Sequence, residues 1–423
     1  MVLVFCKNRH ISNITSKYEF AIAKQTYYKY PHYKGEGKEL RMINTINFKT
    51  KTILSERNNP VRGNIWNIGL DIGYSSVKGF SPNAVSCFPA FAKKASDTPS
   101  MAAPKPTDIQ YRNDITGEIW DVGENAQNRA TANDSEVSLF TKVRFFSEMF
   151  RVISEVGMAF GMLKNKYGSP EGKEIFLQTG LPPEHIDSLG DDLREALSGT
   201  HKFSIKIGNK NWISFDFELD MDHIYKVIGQ PMGTLISVAT GSNGRPVAEA
   251  ARYFSKNILI IDAGFGTLDV YNLNKGNIAS TPETIDDMGM KQVFKETIAT
   301  IKEKFKKDIS ILEMQTVLET GKISVFERKE RRSTSKNIAD ILEASNKKVC
   351  EEALAHICNS YNDLIDHDYL IITGGTCSAW SSIIREFFSG METLTILSGA
   401  QNDNLSAVFS NVRGYYMYAL NKK

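Results

Sequence analysis

Residues 260–270, with the sequence IIDAGFGTLDV, decide the fold of this chain. An apolar strand runs from Asn257 to Asp262, a Gly-rich turn follows, and a second apolar strand begins at Thr267. Glycine lets the backbone approach a ligand closely, and the N–H groups of such a turn can line an anion site. One stretch of this kind is weak support for a phosphate-binding turn next to Asp262.

The same design occurs earlier in the chain, where an apolar strand from Ile65 runs through Asp71 into Gly73. Lys78 follows the turn and can neutralise a phosphate as a point charge. Asp71 can hold Mg²⁺ through water, because hard cations prefer oxygen ligands. Taken alone, this turn is usually only a hairpin. Two such turns, about 190 residues apart, predict paired phosphate loops that face each other across a cleft.

A third buried strand, Tyr369–Thr373, ends in the turn Gly374-Gly375-Thr376, where glycines would let a flat group lie against the backbone. Taken alone, this segment is better explained as a closely packed strand-to-helix turn. Apolar spacing predicts a strand over Ile175–Gly180 and helices over residues 137–165 and 338–361. Strands that alternate with helices favour an α/β architecture.

Two common phosphate sites are excluded by the motifs. The chain contains no G-x-x-x-x-G-K-[ST] sequence, which excludes a P-loop. Gly264-Phe265-Gly266 lacks the third glycine of a dinucleotide-binding turn and runs into a strand rather than a helix.

Length and composition describe an ordinary globular chain of two or three domains: 423 residues, 41% hydrophobic and 24% charged. No apolar run approaches the roughly 18 residues of a membrane span, so we expect no membrane association. Five widely spaced cysteines without a CxxC pair favour a reducing cytoplasm.

The net charge of +2 hides an asymmetry. Residues 1–64 contain 12 Lys and Arg against 4 Asp and Glu, whereas the remaining chain contains 39 against 45. The composition of residues 1–64 predicts an irregular or partly disordered basic extension, rich in Tyr. A polyanion-binding tail is the alternative, since aromatic faces and cations together suit nucleic acid. Regular structure is expected to begin at Ile65.

Together, these three segments resemble the phosphate 1, phosphate 2 and adenosine motifs of the actin/Hsp70/sugar-kinase ATPase superfamily. Three further segments are similar to those of the ParM/StbA-like plasmid-segregation actins: Thr179–Pro182, Gly229–Gly233 at the position of a connecting helix, and Ser410–Tyr416 near the C-terminus. The resemblance covers residues 65–423 and leaves out residues 1–64.

The resemblance implies a role for each matching residue. Asp71 and Asp262 would orient Mg²⁺ and its waters, and Gln230 would position the attacking water, since hydrolysis mostly needs that water placed in line. The remaining residues would hold ATP or GTP: the phosphates by Gly73, Tyr74, Ser75, Lys78, Gly264, Gly266 and Thr267, the nucleotide on the second domain by Gly289, and the adenosine by Gly374, Gly375 and Thr376. A contact to the ribose and adenine from the helix after Gly289 is also implied, with Glu319–Lys322 as the candidate stretch.

The implied fold is α/β and actin-like, with two similar lobes around a nucleotide cleft. Residues 1–64 would form the extension, residues 65–228 with 405–423 the first domain, and residues 229–404 the second. The implied function is a cytoplasmic ATPase that polymerises into filaments and segregates plasmid DNA through a ParR-like DNA-bound adaptor.

Two alternatives stay open at this point. One is a non-polymerising ATPase of the same superfamily, either chaperone-like or kinase-like. The other is a nucleic-acid-binding scaffold with a vestigial ATP site, which the basic extension motivates. Tyr74 and Phe265 replace smaller residues of many relatives, so the preference between ATP and GTP stays open. Residues 327–336 are expected to form a charged surface loop, and a filament contact is their alternative.

Overall fold

The structure is a computed structural model that describes residues 43–96, 103–130 and 142–422. The predicted helix over residues 137–165 therefore falls partly outside the described residues. Among the described residues, no helix is long and apolar enough to cross a membrane.

The strands of the described residues alternate with helices along the chain. They are β1 (Ile53–Glu56), β2 (Ile65–Ile72), β3 (Ser76–Phe80), β4 (Ala84–Pro89), β5 (Ala92–Lys94), β6 (Ile109–Asn113), β7 (Ile119–Val122), β8 (Glu174–Leu181), β9 (Gly199–Ile207), β10 (Ile213–Leu219), β11 (Ile228–Gly229), β12 (Asn257–Ala263), β13 (Thr267–Asn274), β14 (Asn277–Ile278), β15 (Glu283–Asp286), β16 (Lys322–Glu327), β17 (Arg332–Asn337), β18 (Tyr369–Thr373) and β19 (Thr395–Ser398).

The helices vary from a single turn to six turns. They are α1 (Glu124–Gln127), α2 (Lys142–Phe145), α3 (Glu148–Met162), α4 (Ile186–Leu197), α5 (Gln230–Ala239), α6 (Ala250–Tyr253), α7 (Met290–Phe305), α8 (Ile311–Thr320), α9 (Ala339–Ser360), α10 (Cys377–Phe387) and α11 (Ser410–Asn421). Short 3-10 turns lie at Thr45–Phe48, Pro183–His185, Met221–His223, Asn362–Leu364 and Ala407–Phe409.

Three sheets organise the chain. Sheet A has the order β1-β4-β3-β2-β8-β11, and sheet B has the order β10-β9-β6-β7-β5. Sheet C has the order β14-β13-β12-β18-β19, with β15 paired to β13. Strands β16 and β17 form a separate hairpin. We call sheets A and B with α3 and α4 lobe I, and sheet C with helices α7 to α10 lobe II.

Sheets A and C use the same local design at their centres. In each, a largely apolar strand turns back into an antiparallel partner and pairs on its other side with a parallel strand: β2 with β3 and β8, and β12 with β13 and β18. Burial on both faces explains why these central strands carry continuous apolar runs. The central strand of each sheet ends in a short glycine turn. This is the mixed α/β, actin-like architecture that the sequence predicted.

Helices α5 and α11 lie between the two lobes and contact each other. Arg413 of α11 is buried and donates to the carbonyl oxygens of Ser237 and Thr240 at the C-terminal end of α5, at 2.7 and 2.9 Å. Asp403 neutralises this guanidinium through an ion pair of 3.1 Å. Carbonyls at a helix C-terminus have no partners in the helix and favour a cation, so Arg413 fastens α11 to α5. The predicted domain boundaries at residues 64, 228 and 404 stay a prediction, since residues 42–423 form one compact unit.

Several predicted elements agree with the structure, whereas one predicted helix and one predicted loop differ from it. The strands expected at Ile65, Ile175, Asn257 and Tyr369 are present, as is the helix over residues 338–361. The predicted helix over residues 137–165 is interrupted, because α2 ends at Phe145 and α3 begins at Glu148 after the N-cap Ser147. The predicted loop over residues 327–336 is wrong, since much of it belongs to the hairpin β16–β17. The charged side chains of this segment lie on an exposed hairpin. Residue propensity alone does not predict the pairing of its two strands.

The prediction that regular structure begins at Ile65 is also wrong. Residues 43–48 pack against lobe II, where the Thr45 hydroxyl donates to the carbonyl of Leu318 at 2.8 Å. Strand β1 then pairs with β4 at the edge of sheet A. Between them, Lys49 is buried and pairs with Glu319 of lobe II and, at 3.3 Å, with Glu124 of lobe I. Residues 43–56 therefore cross from one lobe to the other, and Glu319 is engaged by Lys49.

We expect Lys49→Ala to lower the free energy of unfolding by about 2 kcal/mol, because it leaves two partly buried carboxylates without their shared cation. Urea denaturation of the full chain measures this change. Lys51→Ala is the matched control, since Lys51 is exposed in the same segment. Equal stability of the two variants would show that the ion pairs of Lys49 contribute nothing.

Candidate functional site

The first glycine turn is held by its own backbone and by an ion pair. The N–H of Gly73 donates to the carbonyl of Ser76 at 3.0 Å, which closes the turn between β2 and β3. Asp71 is buried and lies opposite Lys78 in the ladder, with Nζ 2.8 Å from Oδ2. Ser75 uses its carbonyl to accept from the N–H of Ala90 at 3.0 Å. The turn therefore places one buried carboxylate and one cation at the end of sheet A.

Lys78 stays cationic in this position. Burial alone would lower the pKa of its ammonium, but the charge of Asp71 and the hydrogen bond to it outweigh burial, so the pKa is raised. Lys78 thus keeps a positive charge beside the turn and next to Asp71.

The second turn repeats this geometry at the end of sheet C. The N–H of Gly264 donates to the carbonyl of Thr267 at 2.9 Å. Asp262 is buried and accepts a short hydrogen bond from the Asn411 side chain. Burial raises the pKa of Asp262 to about 6, against the lowering effects of Asn411 and Lys78. At neutral pH Asp262 is therefore largely ionised and can interact with a cation.

The two turns contact each other. A Cβ atom added to Gly266 would lie 2.8 Å from Cδ2 of Tyr74, so the Tyr74 ring covers the second turn directly. Phe265 instead faces the core of lobe II, with its ring edge-on to Phe294 at 5.8 Å. Tyr74 therefore shapes the space between the turns, whereas Phe265 does not enter it.

Arg144 of α2 is a site residue that sequence reasoning missed. Its guanidinium is buried and donates to the carbonyl of Gly73 at 2.9 Å and of Ile72 at 3.2 Å. It also lies 5.1 Å from the centre of the Tyr74 ring, a cation–π distance. Burial lowers the pKa of Arg144 to about 10, which still leaves it charged at neutral pH. No sequence motif marks Arg144. The position of α2 in the fold places this side chain next to the first turn.

Gln230 lies where the sequence predicts a connecting helix. It is the first residue of α5, followed by Pro231, which suits an N-terminal position. Its side-chain amide donates to Oδ1 of Asp71 at 3.3 Å. Gln230 is thus brought to the aspartate of the first turn across 159 residues of sequence.

The N-terminus of α7 packs closely against the second turn. A Cβ atom added to Gly289 would lie 2.6 Å from the carbonyl oxygen of Gly264. Lys291 donates its N–H to the carbonyl of Phe265 at 2.8 Å, and Asp287 donates to that of Gly266 at 2.9 Å. Gly289 is therefore required for close contact with the second turn.

The third glycine segment also packs on the second turn. Gly374 has φ +92°, a conformation that favours glycine, and a Cβ there would collide with Ala263 and Asp262. The hydroxyl of Thr376 donates to the carbonyl of Gly264 at 2.6 Å. Gly375 is exposed beside them. The structure thus assembles all three motifs into one site, although contacts with a nucleotide stay a prediction.

Asp269 is a third buried carboxyl, paired with Asp262 across β12 and β13. Burial and the charge of Asp262 raise its pKa well above the ordinary value. A folded protein that holds this proton loses stability as the pH rises above the unfolded pKa of about 3.9.

We therefore expect Asp269→Asn to gain stability relative to the unchanged protein as the pH rises from 5 to 8, by up to about 1.4 kcal/mol per pH unit. Chemical denaturation at several pH values measures the gap. A gap that is constant with pH would contradict a protonated Asp269.

The donor set suits a hydrated divalent cation. Asp71 and Asp262 are buried oxygen donors at the two turns, and the turns offer backbone N–H groups for phosphate. Within residues 43–96, 103–130 and 142–422, no group of three or more His, Cys, Asp or Glu could hold a metal by itself. A cation held mainly through water and phosphate fits this arrangement.

The comparisons with known proteins agree with this fold. Residues 69–233 match the family of actin-like proteins, N-terminal domain. No curated protein matches the chain. The structure is similar to a non-polymerisable quadruple mutant of pCBH ParM, with a TM-score of 0.64 and 19% identity over 84% of this chain and 99% of that one.

Two further solved structures are similar. The subunit of a 15-stranded ParM filament from Clostridium botulinum matches with a TM-score of 0.63 and 18% identity, covering 84% of this chain and 99% of that one. An archaeal actin homologue, Ta0583, in complex with ADP, matches with a TM-score of 0.59 and 15% identity, over 84% and 99%. The chain therefore has the actin-like fold of ParM and other prokaryotic actin homologues.

Proposed function

We propose that this chain binds ATP or GTP with Mg²⁺, hydrolyses it, and polymerises into filaments that segregate plasmid DNA through a ParR-like DNA-bound adaptor. The observation that carries the proposal is the pair of facing turns. Asp71 and Asp262 end the central strands of two sheets, and Tyr74 contacts Gly266 between them. Two phosphate turns from two lobes can enclose one nucleotide and couple its chemistry to lobe closure.

The site residues divide the work of hydrolysis. Asp71 and Asp262 would hold the waters of Mg²⁺, which supplies charge neutralisation at the phosphates when bound. Gln230 donates to Asp71 at 3.3 Å and stands at the first turn, so it would orient the attacking water. Lys78 and Arg144 keep positive charge near the first turn, which favours a polyanionic ligand.

The remaining predicted contacts follow the same arrangement. Gly73, Ser75, Gly264 and Thr267 would face the phosphates, and Gly375 the adenosine. Gly266 and Tyr74 touch in this structure, so a γ-phosphate between the turns requires the Tyr74 ring to turn aside.

Assembly and cellular role are proposed from the relatives. One similar structure is described as a ParM filament and another as an Alp12 filament, with a TM-score of 0.52. Since a bound nucleotide favours the state to which it binds more tightly, we expect assembly with the triphosphate and disassembly after hydrolysis. The four described cysteines, Cys87, Cys350, Cys358 and Cys377, are free thiols, which supports the proposed location in the cytoplasm.

Light scattering and phosphate release, recorded together on the full chain, test the proposal. Mg-ATP or Mg-GTP is expected to cause a rise in scattering and release of phosphate, whereas Mg-ADP causes neither. Electron microscopy at the scattering plateau should show filaments.

The other outcomes separate the alternatives. Phosphate release without assembly over a broad protein range would favour a non-polymerising ATPase. A salt-sensitive DNA shift without hydrolysis would favour a nucleic-acid scaffold. Neither result is compatible with the proposed filament function.

A further inference from the structure

Helix α11 passes directly beneath both turns. It contacts β2 and β8 of sheet A and helix α5. A Cβ added to Gly69 in β2 would lie 2.5 Å from the carbonyl oxygen of Val412 in α11. Asn411 and Tyr415 are four residues apart, so they share one face of this helix. That face points toward the end of the sheets where the aspartates lie.

Asn411 holds Asp262 in one orientation. Its side-chain amide donates to Oδ2 of Asp262, and its own oxygen accepts from the Thr234 hydroxyl at 2.6 Å. All three side chains are buried, with exposed fractions of 6% or less. Because the ionised carboxylate of Asp262 can only accept a hydrogen bond, the amide nitrogen of Asn411 faces Asp262 and the amide oxygen is left to accept from the Thr234 hydroxyl. These two hydrogen bonds link Thr234 of α5, Asn411 of α11 and Asp262 at the second turn.

The environment of Tyr415 differs from that of Asn411. The Tyr415 ring packs against two glycines: a Cβ on Gly233 would lie 2.6 Å from Cε1, and one on Gly180 would collide with the hydroxyl. The side chain is fully buried, yet its hydroxyl has no hydrogen-bond partner among the described residues. A buried hydroxyl without a partner is costly, so such a group indicates a ligand or water that it is built to meet.

The surroundings of Tyr415 identify the kind of partner. Burial, and after it the nearby charges of Asp71 and Asp262, raise its pKa well above the ordinary value. The hydroxyl therefore stays protonated and acts as a donor at working pH. Gly180 follows Thr179, which pairs with Leu70 next to Asp71 in the parallel ladder. A donor at this place beside carboxylates suits a water molecule of the hydrated cation.

We propose that Asn411 and Tyr415 are positioning residues of the nucleotide site: Asn411 orients the carboxylate of Asp262, and the Tyr415 hydroxyl donates to a cation-bound water beside Asp71. This inference rests on the proposed function of the site. In this proposal, helix α11 supplies the side chains that position Asp262 and the cation-bound water beside Asp71. Since α11 also contacts α5, which begins with Gln230, movement of these helices would reach the metal and the attacking water together.

The test compares Tyr415→Phe with Tyr416→Phe in the full chain. The Tyr416 hydroxyl is also buried but donates to the carbonyl of Pro60, so it serves structure alone. Melting temperatures are measured without ligand and over a titration of Mg²⁺ at fixed ATP. Tyr415→Phe is expected to melt no lower than the unchanged protein without ligand, because it removes an unsatisfied group. It should need about fivefold more Mg²⁺ for half of the stabilisation, the equivalent of one hydrogen bond.

Tyr416→Phe should show the opposite pattern, with a lower melting temperature without ligand and an unchanged Mg²⁺ requirement. Asn411→Leu and Thr234→Val should both raise the Mg²⁺ requirement, the first by about tenfold, as expected for loss of a residue that orients a metal ligand. Thr234→Val should have the smaller effect, because the amide of Asn411 remains but is free to turn.

The outcomes separate this inference from the function on which it rests. If Mg²⁺ with ATP does not stabilise the unchanged protein, the proposed function fails and the inference fails with it. If the unchanged protein is stabilised and the Tyr415→Phe and Asn411→Leu variants require the same Mg²⁺, the inference alone is overturned. A lower melting temperature of Tyr415→Phe without ligand would likewise assign the hydroxyl a structural role only.

Discussion

Asp262→Asn is expected to reduce Mg-dependent nucleotide hydrolysis by at least about a hundredfold. The amide keeps the size of the side chain and can still accept a hydrogen bond from Asn411. It removes the negative charge that would hold the cation waters at the second turn. Phosphate release at saturating Mg-ATP measures the loss, and fluorescent-nucleotide binding measures whether the ligand still enters.

The folded state of this variant should be intact. Asp262 is a buried carboxyl whose pKa is raised to about 6 by burial, so neutralising it does not cost stability at neutral pH. Asp216→Asn is the matched control, since Asp216 is exposed on β10 of sheet B. Near-normal turnover of Asp262→Asn, with the control also normal, would refute the assigned site.

Gly414→Ala is expected to lower the free energy of unfolding by about 3 kcal/mol. Helices α5 and α11 cross at Gly233 and Gly414, where a Cβ on Gly414 would lie 2.8 Å from the Cα of Gly233 and would collide with its carbonyl. The obstacle is backbone, which cannot rotate away. The two helices must separate, and with them Gln230 and Asn411.

This expected loss of stability is opposite to the change that helix propensity predicts for a glycine-to-alanine substitution. Alanine in a helix interior normally stabilises by about 1 kcal/mol relative to glycine. Gly390→Ala is the control, because a Cβ there meets nothing within 4 Å. Urea denaturation of both variants compares them. A Gly414→Ala variant as stable as the unchanged protein would show that the helices do not cross this closely.

The sequence was informative where the signal is local. Asp71 with Gly73, and Asp262 with Gly264, are predicted because a strand, an acidic residue and a glycine turn are consecutive in the chain. The hairpin geometry of each turn follows from its own few residues. The same logic failed for residues 327–336, where charge predicted a loop and the structure has a hairpin. Cross-strand pairing, rather than composition, decided that segment.

The first residues of the described chain show the limit of composition. Residues 43–56 show no sustained helical or strand period, and the sequence assigns them to an extension. In the structure Thr45 and Lys49 form hydrogen bonds with lobe II, and β1 pairs with β4 in sheet A. The partners of Thr45 and Lys49 in lobe II lie about 270 residues away, which no local pattern can indicate.

The sequence by itself determined the two glycine turns, their aspartates and the α/β class, because these depend on neighbours in the chain. Only the tertiary structure decided what surrounds them. It brought Arg144 to the first turn and Asn411 to Asp262, and it buried the Tyr415 hydroxyl against Gly180. The physical reason is burial: polar groups excluded from water, such as the Arg144 guanidinium and the Asn411 amide, are stabilised by partners inside the protein, and those partners are set by how helices cross and sheets pair.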